Sequence, residues 1–176
     1  DNDGTVPEPV RLRASITVEG DGLVVDYTGT APQSAGCLNT TLGVTEGFAF
    51  MAIKAALDPK GPINSGSMRP IRVVAPRGTC LNAIPPAACG GLGELGQAMI
   101  FTMVAMGKLV PDQITAEEPS SINHQNLDGI DTRPDRGRFV FYDAVSGGCG
   151  ARSTKDGLDF VRTIRSGNYT MMSSEV

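Results

Sequence analysis

Glycine and proline interrupt this sequence so often that long regular elements are excluded. There are 22 glycines and 12 prolines among 176 residues, about a fifth of the chain where roughly 12% is usual. Glycine opens left-handed backbone to turns, and proline breaks helices and removes ladder donors. Short strands and helices joined by many turns are the consequence. The interior must still be packed. Hydrophobic residues make up 40% and charged residues 19%, which excludes a disordered chain and a coiled coil. A chain of this length buries roughly 70% of its unfolded surface, so no disulfide or metal staple is required. A single segment, residues 1–176, is the expected domain. It opens at Asp1 without a Met, and is read as part of a larger subunit.

Charge narrows the partners. The net charge is -4 and the pI is near 4.9, so the electrostatic footprint for nucleic acid or an acidic membrane is missing. Arg133, Arg136 and Arg138 form the densest basic group, but Asp131 and Asp135 interrupt it, as in a solvated loop. No apolar run approaches the length of a bilayer span. Cys37, Cys80, Cys89 and Cys149 contain no C-x-x-C pair, which excludes a zinc ribbon or a thioredoxin-type motif. They are read as free thiols in a cytoplasmic protein.

Leu12, Ala14, Ile16 and Val18 alternate with polar residues, the period of a strand with one buried face. Gly20-Asp21-Gly22 supplies a tight turn and residues 23–28 return, so residues 10–28 form a β-hairpin. From 44 to 57, Val44, Phe48, Met51, Ala52 and Ala55 trace one helical face and Phe50, Ile53 and Leu57 a second strip. A helix apolar nearly all round is buried, and it ends at Asp58-Pro59. Residues 71–75 read as a short strand. Leu95, Met99, Thr102, Met103, Met106 and Val110 trace a second helix ending at Pro111, its methionines read as core filler. Residues 111–137 are polar and turn-rich, without periodicity. Strands are expected at 139–145 and 161–164. The fold class is α+β: a β-hairpin and short strands packed with two buried helices and joined by glycine-rich loops.

Two glycine loops are candidate binding elements. Gly90 and Gly91 lead through Gly93 to Glu94 at the start of the second helix, where loop and helix amides can face an anion. The P-loop lysine is missing, Pro85-Pro86 argues against the strand that a dinucleotide fingerprint needs, and Glu94 itself repels an anion. A purely structural turn is the competing reading. Gly147, Gly148 and Gly150 follow a strand carrying Tyr142 and Asp143. There a ligand can approach backbone closely and Arg152 can clamp a carboxylate or phosphate; a bulge with a surface arginine is the alternative. Cys149 has no base near it in sequence. His124 is the single histidine, in the polar run Ser121-Ile122-Asn123-His124-Gln125-Asn126. It is expected to hydrogen-bond in a ligand cleft, with Asp143 as the second catalytic candidate; one histidine cannot make a histidine-rich metal site.

Several stretches, in order, carry a family resemblance. Val25-Asp26-Tyr27-Thr28-Gly29-Thr30-Ala31-Pro32-Gln33 resembles the D-[FY]-T-G-T-x-P-Q signature of the hydantoinase B/5-oxoprolinase family, which also includes large subunits of acetone and acetophenone carboxylases. Asn39-Thr40-Thr41-Leu42, Arg69-Pro70-Ile71-Arg72-Val73, Leu81-Asn82-Ala83, Pro85-Pro86-Ala87-Ala88, Gly90-Gly91 with Glu94, Phe139-Val140-Phe141-Tyr142 and Gly150-Ala151-Arg152 with Asp156-Gly157 continue the match. The resemblance implies a central-to-C-terminal portion of a subunit that works beside a hydantoinase A-type partner, which binds ATP. Such enzymes open cyclic amides such as 5-oxoproline or N-methylhydantoin, or carboxylate ketones, after phosphorylation of an amide or enolate oxygen. In the family a histidine- and aspartate-bearing metal motif lies upstream of the matched region, so the divalent metal is expected outside this segment and no metal ligand is assigned here. His124 stands where many relatives carry Asn. The implied function is a component of an ATP-dependent cyclic-amide hydrolase. A ketone carboxylase component and a non-catalytic scaffold portion are the alternatives.

Overall fold

The computed structural model describes residues 7–90, 102, 104–114, 116, 122–146 and 150–157. They belong to two compact units, Asp1–Ile114 and Thr115–Val176. Strands and helices are mixed in small sheets with few helices, as the α+β reading requires.

The hairpin of the first unit pairs β1, Ser15–Glu19, with β2, Gly22–Asp26, in antiparallel register from Ser15 opposite Asp26 to Glu19 opposite Gly22. Gly20 takes φ +61° and Asp21 does not follow it into the left-handed region. Glycine at the first of two turn positions matches the twist of the flanking strands. Upstream of the ladder the alternation persists in burial, with Leu12 and Ala14 half-buried and Arg11 and Arg13 exposed.

A third strand, β3 (Ile71–Val74), pairs with β2 in parallel, Leu23 opposite Ile71 and Asp26 opposite Val74. A parallel neighbour cannot be reached by a tight turn. The crossover carries α1, Leu42–Leu57, and a single capped turn, α2, Ser65–Met68. The sheet order β1-β2-β3 makes β2 central, and Val24 and Val25 are buried on its two faces. At the mouth of the parallel pair Leu23 N donates to Pro70 O at 2.9 Å. Only glycine fits beside that carbonyl, because a Cβ on Gly22 would lie 2.7 Å from Pro70 O.

The helix α1 starts two residues earlier than its apolar pattern suggests, and its buried face differs. Thr45, Ala49, Ala52, Ile53 and Ala56 are buried, whereas Val44, Phe48, Phe50, Met51 and Ala55 are half-buried and Leu57 is exposed. Small side chains let helix and sheet approach closely, so size and not hydrophobicity selects the face. Tyr27, Leu81, Met106 and Val25 are the bulkiest fully buried side chains of the core. Of the second helix, residue 102 and residues 104–106 are helical; Met106 fills the core as expected, while Leu95, Met99 and Met103 lie outside the described residues.

The second unit corrects the reading of residues 111–137. Pro111–Gln113, which closes the first unit, is a 3-10 turn. Ile122–Ile130 form a strand, β4, paired antiparallel with β5, Arg138–Ser146. The sequence of β4 is rich in Asn, Gln and Asp, poor strand formers whose preference is overridden by a partner. That partner carries Phe139, Val140, Phe141 and Tyr142. Within the connection, Arg133 bonds through its backbone N–H and its guanidinium to Asp131, and Asp131 N donates to Gly137 O at 3.0 Å. The strand expected at 161–164 lies outside the described residues.

Candidate functional site

Among the described residues of the first unit, a set of polar contacts, several of them long-range, surrounds residues 26–39. Asp26 Oδ1 accepts from Thr28 N at 2.8 Å, and bonding to Thr28 holds its carboxyl below the usual carboxylate range. Gly29 follows at φ +91°, a conformation that favours glycine. The buried Thr30 hydroxyl accepts from Arg13 N at 3.1 Å and donates to Arg13 O at 3.2 Å. Tyr27, which points into the core, is hydrogen-bonded to Thr102, and burial pushes its phenol up to about 12.

Two carboxamides then reach across to residues 84–90. Gln33 Oε1 accepts from Ile84 N at 2.9 Å and its Nε2 donates to Ile84 O at 3.4 Å. Asn39 is 1% exposed. Its Oδ1 accepts from Ser34 N at 2.7 Å, and its Nδ2 donates to Ser34 O, Gly36 O and Ala88 O at 3.0, 3.1 and 3.0 Å. Gly90 N donates to Cys37 O at 2.8 Å. The resulting edge exposes Cys37, Ala88, Cys89 and Gly90. A Cβ on Gly90 would lie 3.1 Å from Cys37 Cβ, so the glycine permits this close approach. Cys37, Cys80 and Cys89 are free thiols, and burial pushes Cys80 up to about 11. Among the described residues no three His, Cys, Asp or Glu side chains stand together as metal ligands. No step is therefore assigned to a metal held by them.

A separate cavity of about 530 Å³ opens beside the hairpin turn, lined by Leu23, Ile53, Leu57, Met106 and Val110 among others. Its lining includes Lys54 and Asp58, which form an ion pair with each other. This is chiefly an apolar surface.

The hydantoinase B/oxoprolinase family profile matches residues 1–176. The chain belongs to the hydantoinase B/oxoprolinase family. It is 30% identical over 172 residues to a D-/L-hydantoinase component of the B type from Pseudomonas sp. (strain NS671), covering 93% of this chain and 28% of that relative. It is 26% identical over 161 residues to 5-oxoprolinase 1 of Arabidopsis thaliana, covering 92% of this chain and 12% of the relative. The ATP-dependent caprolactamase of Pseudomonas jessenii shares its fold with a TM-score of 0.66 at 22% identity, over 85% of this chain and 26% of that one. The chain thus spans little more than a quarter of these longer bacterial proteins.

As a member of this family, the chain places its sequence-selected residues unevenly. Gly90 lies on the exposed edge opposite Cys37; Gly91 and Glu94 lie outside the described residues, as do Gly147 and Gly148. His124 is on a strand, β4, and not in an irregular stretch. The ladder sets it opposite Ala144 and sets Asp143 opposite Gln125, so the two catalytic candidates occupy positions one residue out of step. Arg152 is exposed and its backbone closes a turn with Lys155, N to O at 2.8 Å. A Cβ on Gly150 would collide with the Ala116 carbonyl, which gives that glycine a structural reason. The family signature between Asp26 and Gln33 largely holds backbone in place. Gln33 and Asn39, which the sequence marks only as part of the family match, are the residues that tie the Gly90 edge down. Among the described residues no helix is long and apolar enough to cross a membrane.

Proposed function

We propose that this chain is part of an ATP-dependent cyclic-amide hydrolase that opens rings of the 5-oxoproline or hydantoin type beside a hydantoinase A-type, ATP-binding partner. The match to the hydantoinase B/oxoprolinase family along residues 1–176 carries this reading. The relationship to 5-oxoprolinases and the fold shared with a caprolactamase agree with it. In this proposal the partner supplies ATP, and phosphorylation of the amide oxygen makes the ring carbonyl open to water. Gly90, Gly91 and Glu94 in the first unit and Gly147, Gly148 and Arg152 in the second are each retained as candidate substrate-binding residues. His124 and Asp143 are retained as candidates for proton transfer. The divalent metal belongs to residues outside this segment.

A carboxylase reading has one specific support: an acetone carboxylase shares the fold with a TM-score of 0.63 at 15% identity, over 86% of this chain. Incubating the full-length protein and its ATP-binding partner with 5-oxoproline, hydantoins and ketones separates the two. ADP release with no need for bicarbonate supports ring opening, and AMP release that depends on bicarbonate supports carboxylation. The scaffold alternative predicts unchanged kinetics when the Gly90 and Arg152 loops are altered.

A further inference from the structure

Residues 84–90 are poor in backbone donors of their own. Pro85 and Pro86 have no N–H, and the peptide between them is cis. Ala87 N turns back to Ile84 O at 3.2 Å, which leaves the segment to be fixed largely from outside. Gln33 grips both the N–H and the carbonyl of Ile84, 51 residues away in sequence. The two Nδ2 hydrogens of Asn39 are shared among Ser34 O and Gly36 O, which brace its own loop, and Ala88 O. The Gly90 N to Cys37 O bond lies just beyond. A buried amide with all its bonds made fixes geometry strongly, since each lost partner leaves a polar group unsatisfied.

Resting on the reading that Gly90 faces the substrate, we propose that Gln33 and Asn39 are positioning residues whose side-chain amides hold residues 84–90 and so set the Gly90 backbone for the reaction. Neither amide titrates, so their hold on the loop is independent of pH.

Gln33→Glu and Asn39→Asp test this in the complete enzyme assembled with its ATP-binding partner, with 5-oxoproline, hydantoin and caprolactam as probes. Each keeps side-chain size and an accepting oxygen but loses donation. A misplacement of about 1 Å can slow turnover about a hundredfold. The expected result is a kcat lower by about ten- to a hundredfold, with the KM for ATP unchanged and faster hydrogen exchange at the Ala87 and Gly90 amides. Gln33 is only half-buried, so its variant is informative even where Asn39→Asp fails to fold. Unchanged exchange in Gln33→Glu overturns the proposal, as does loosened exchange with wild-type kcat. Gly90→Val identifies which idea has failed. Slow turnover in Gly90→Val beside wild-type kinetics in the amide variants removes the positioning role and keeps the Gly90 reading. Wild-type kinetics in Gly90→Val, or no turnover of any probe by the wild-type enzyme, removes the reading on which the proposal rests.

Discussion

Tyr27 Oη and Thr102 Oγ1 lie 2.6 Å apart, and both side chains are buried. The bond joins the residue after β2 to the second helix across 75 positions of sequence, so the family signature is anchored to the core through its tyrosine. Replacing Tyr27 by Phe removes the bond and is expected to cost about 1 kcal/mol, read from urea unfolding.

The same tyrosine predicts an alkaline limit. Its folded pKa of about 12 exceeds the ordinary value of 10.0 because burial disfavours the phenolate. The stability tied to the neutral form is therefore complete below pH 10 or so and is lost as pH rises through about 12. Absorbance titration should show a phenol ionising late in the wild type, and Tyr27→Phe should abolish that component.

Asp26 predicts an acid effect of opposite sign. Its bonds to Thr28 lower its pKa in the fold, so its contribution is present above about pH 4 and lost as pH falls through the lower folded value. In Asp26→Asn the acceptor oxygen remains but the titration does not. The stability difference between wild type and variant, measured at neutral pH, should shrink in acid.

Gly22→Ala brings a Cβ within 2.7 Å of the Pro70 carbonyl, where β2 and β3 begin their parallel pairing. Backbone must move to relieve it. A loss of about 1–3 kcal/mol is expected, with faster exchange at the Leu23 amide, which bonds to the same oxygen.

Thiol labelling distinguishes the edge from the core. Cys37 and Cys89 are exposed, whereas Cys80 is buried with its pKa pushed up to about 11. Peptide mapping after a short iodoacetamide pulse should find label on Cys37 and Cys89 in the native protein, and on Cys80 only after unfolding.

The hairpin was legible because alternation and a Gly-Asp-Gly turn are local signals. The helix α1 was legible in extent but not in orientation. Its apolar residues run nearly all round, and close packing through Ala49, Ala52 and Ala56 chose the face. The parallel pairing of β3 was hidden because its partner, Leu23 to Asp26, is distant in sequence; the strand β4 was hidden because its Asn- and Asp-rich composition gives no strand signal until it pairs with the next strand, Arg138 to Ser146. At the candidate site, the glycine at position 90 was visible as a loop residue. The amides of Gln33 and Asn39 that fix it were not, since hydrogen bonds spanning 51 and 49 residues leave no periodic trace.

The most direct measurement is the ratio of ring-opened product to ADP when the full-length protein and the proposed hydantoinase A-type partner are given 5-oxoproline, hydantoin and caprolactam in turn without bicarbonate. Ring opening beside an ATP-binding partner predicts equal amounts of product and ADP for at least one of these amides, with no AMP. ADP release no greater than that of the partner alone, with every ring intact, would contradict it.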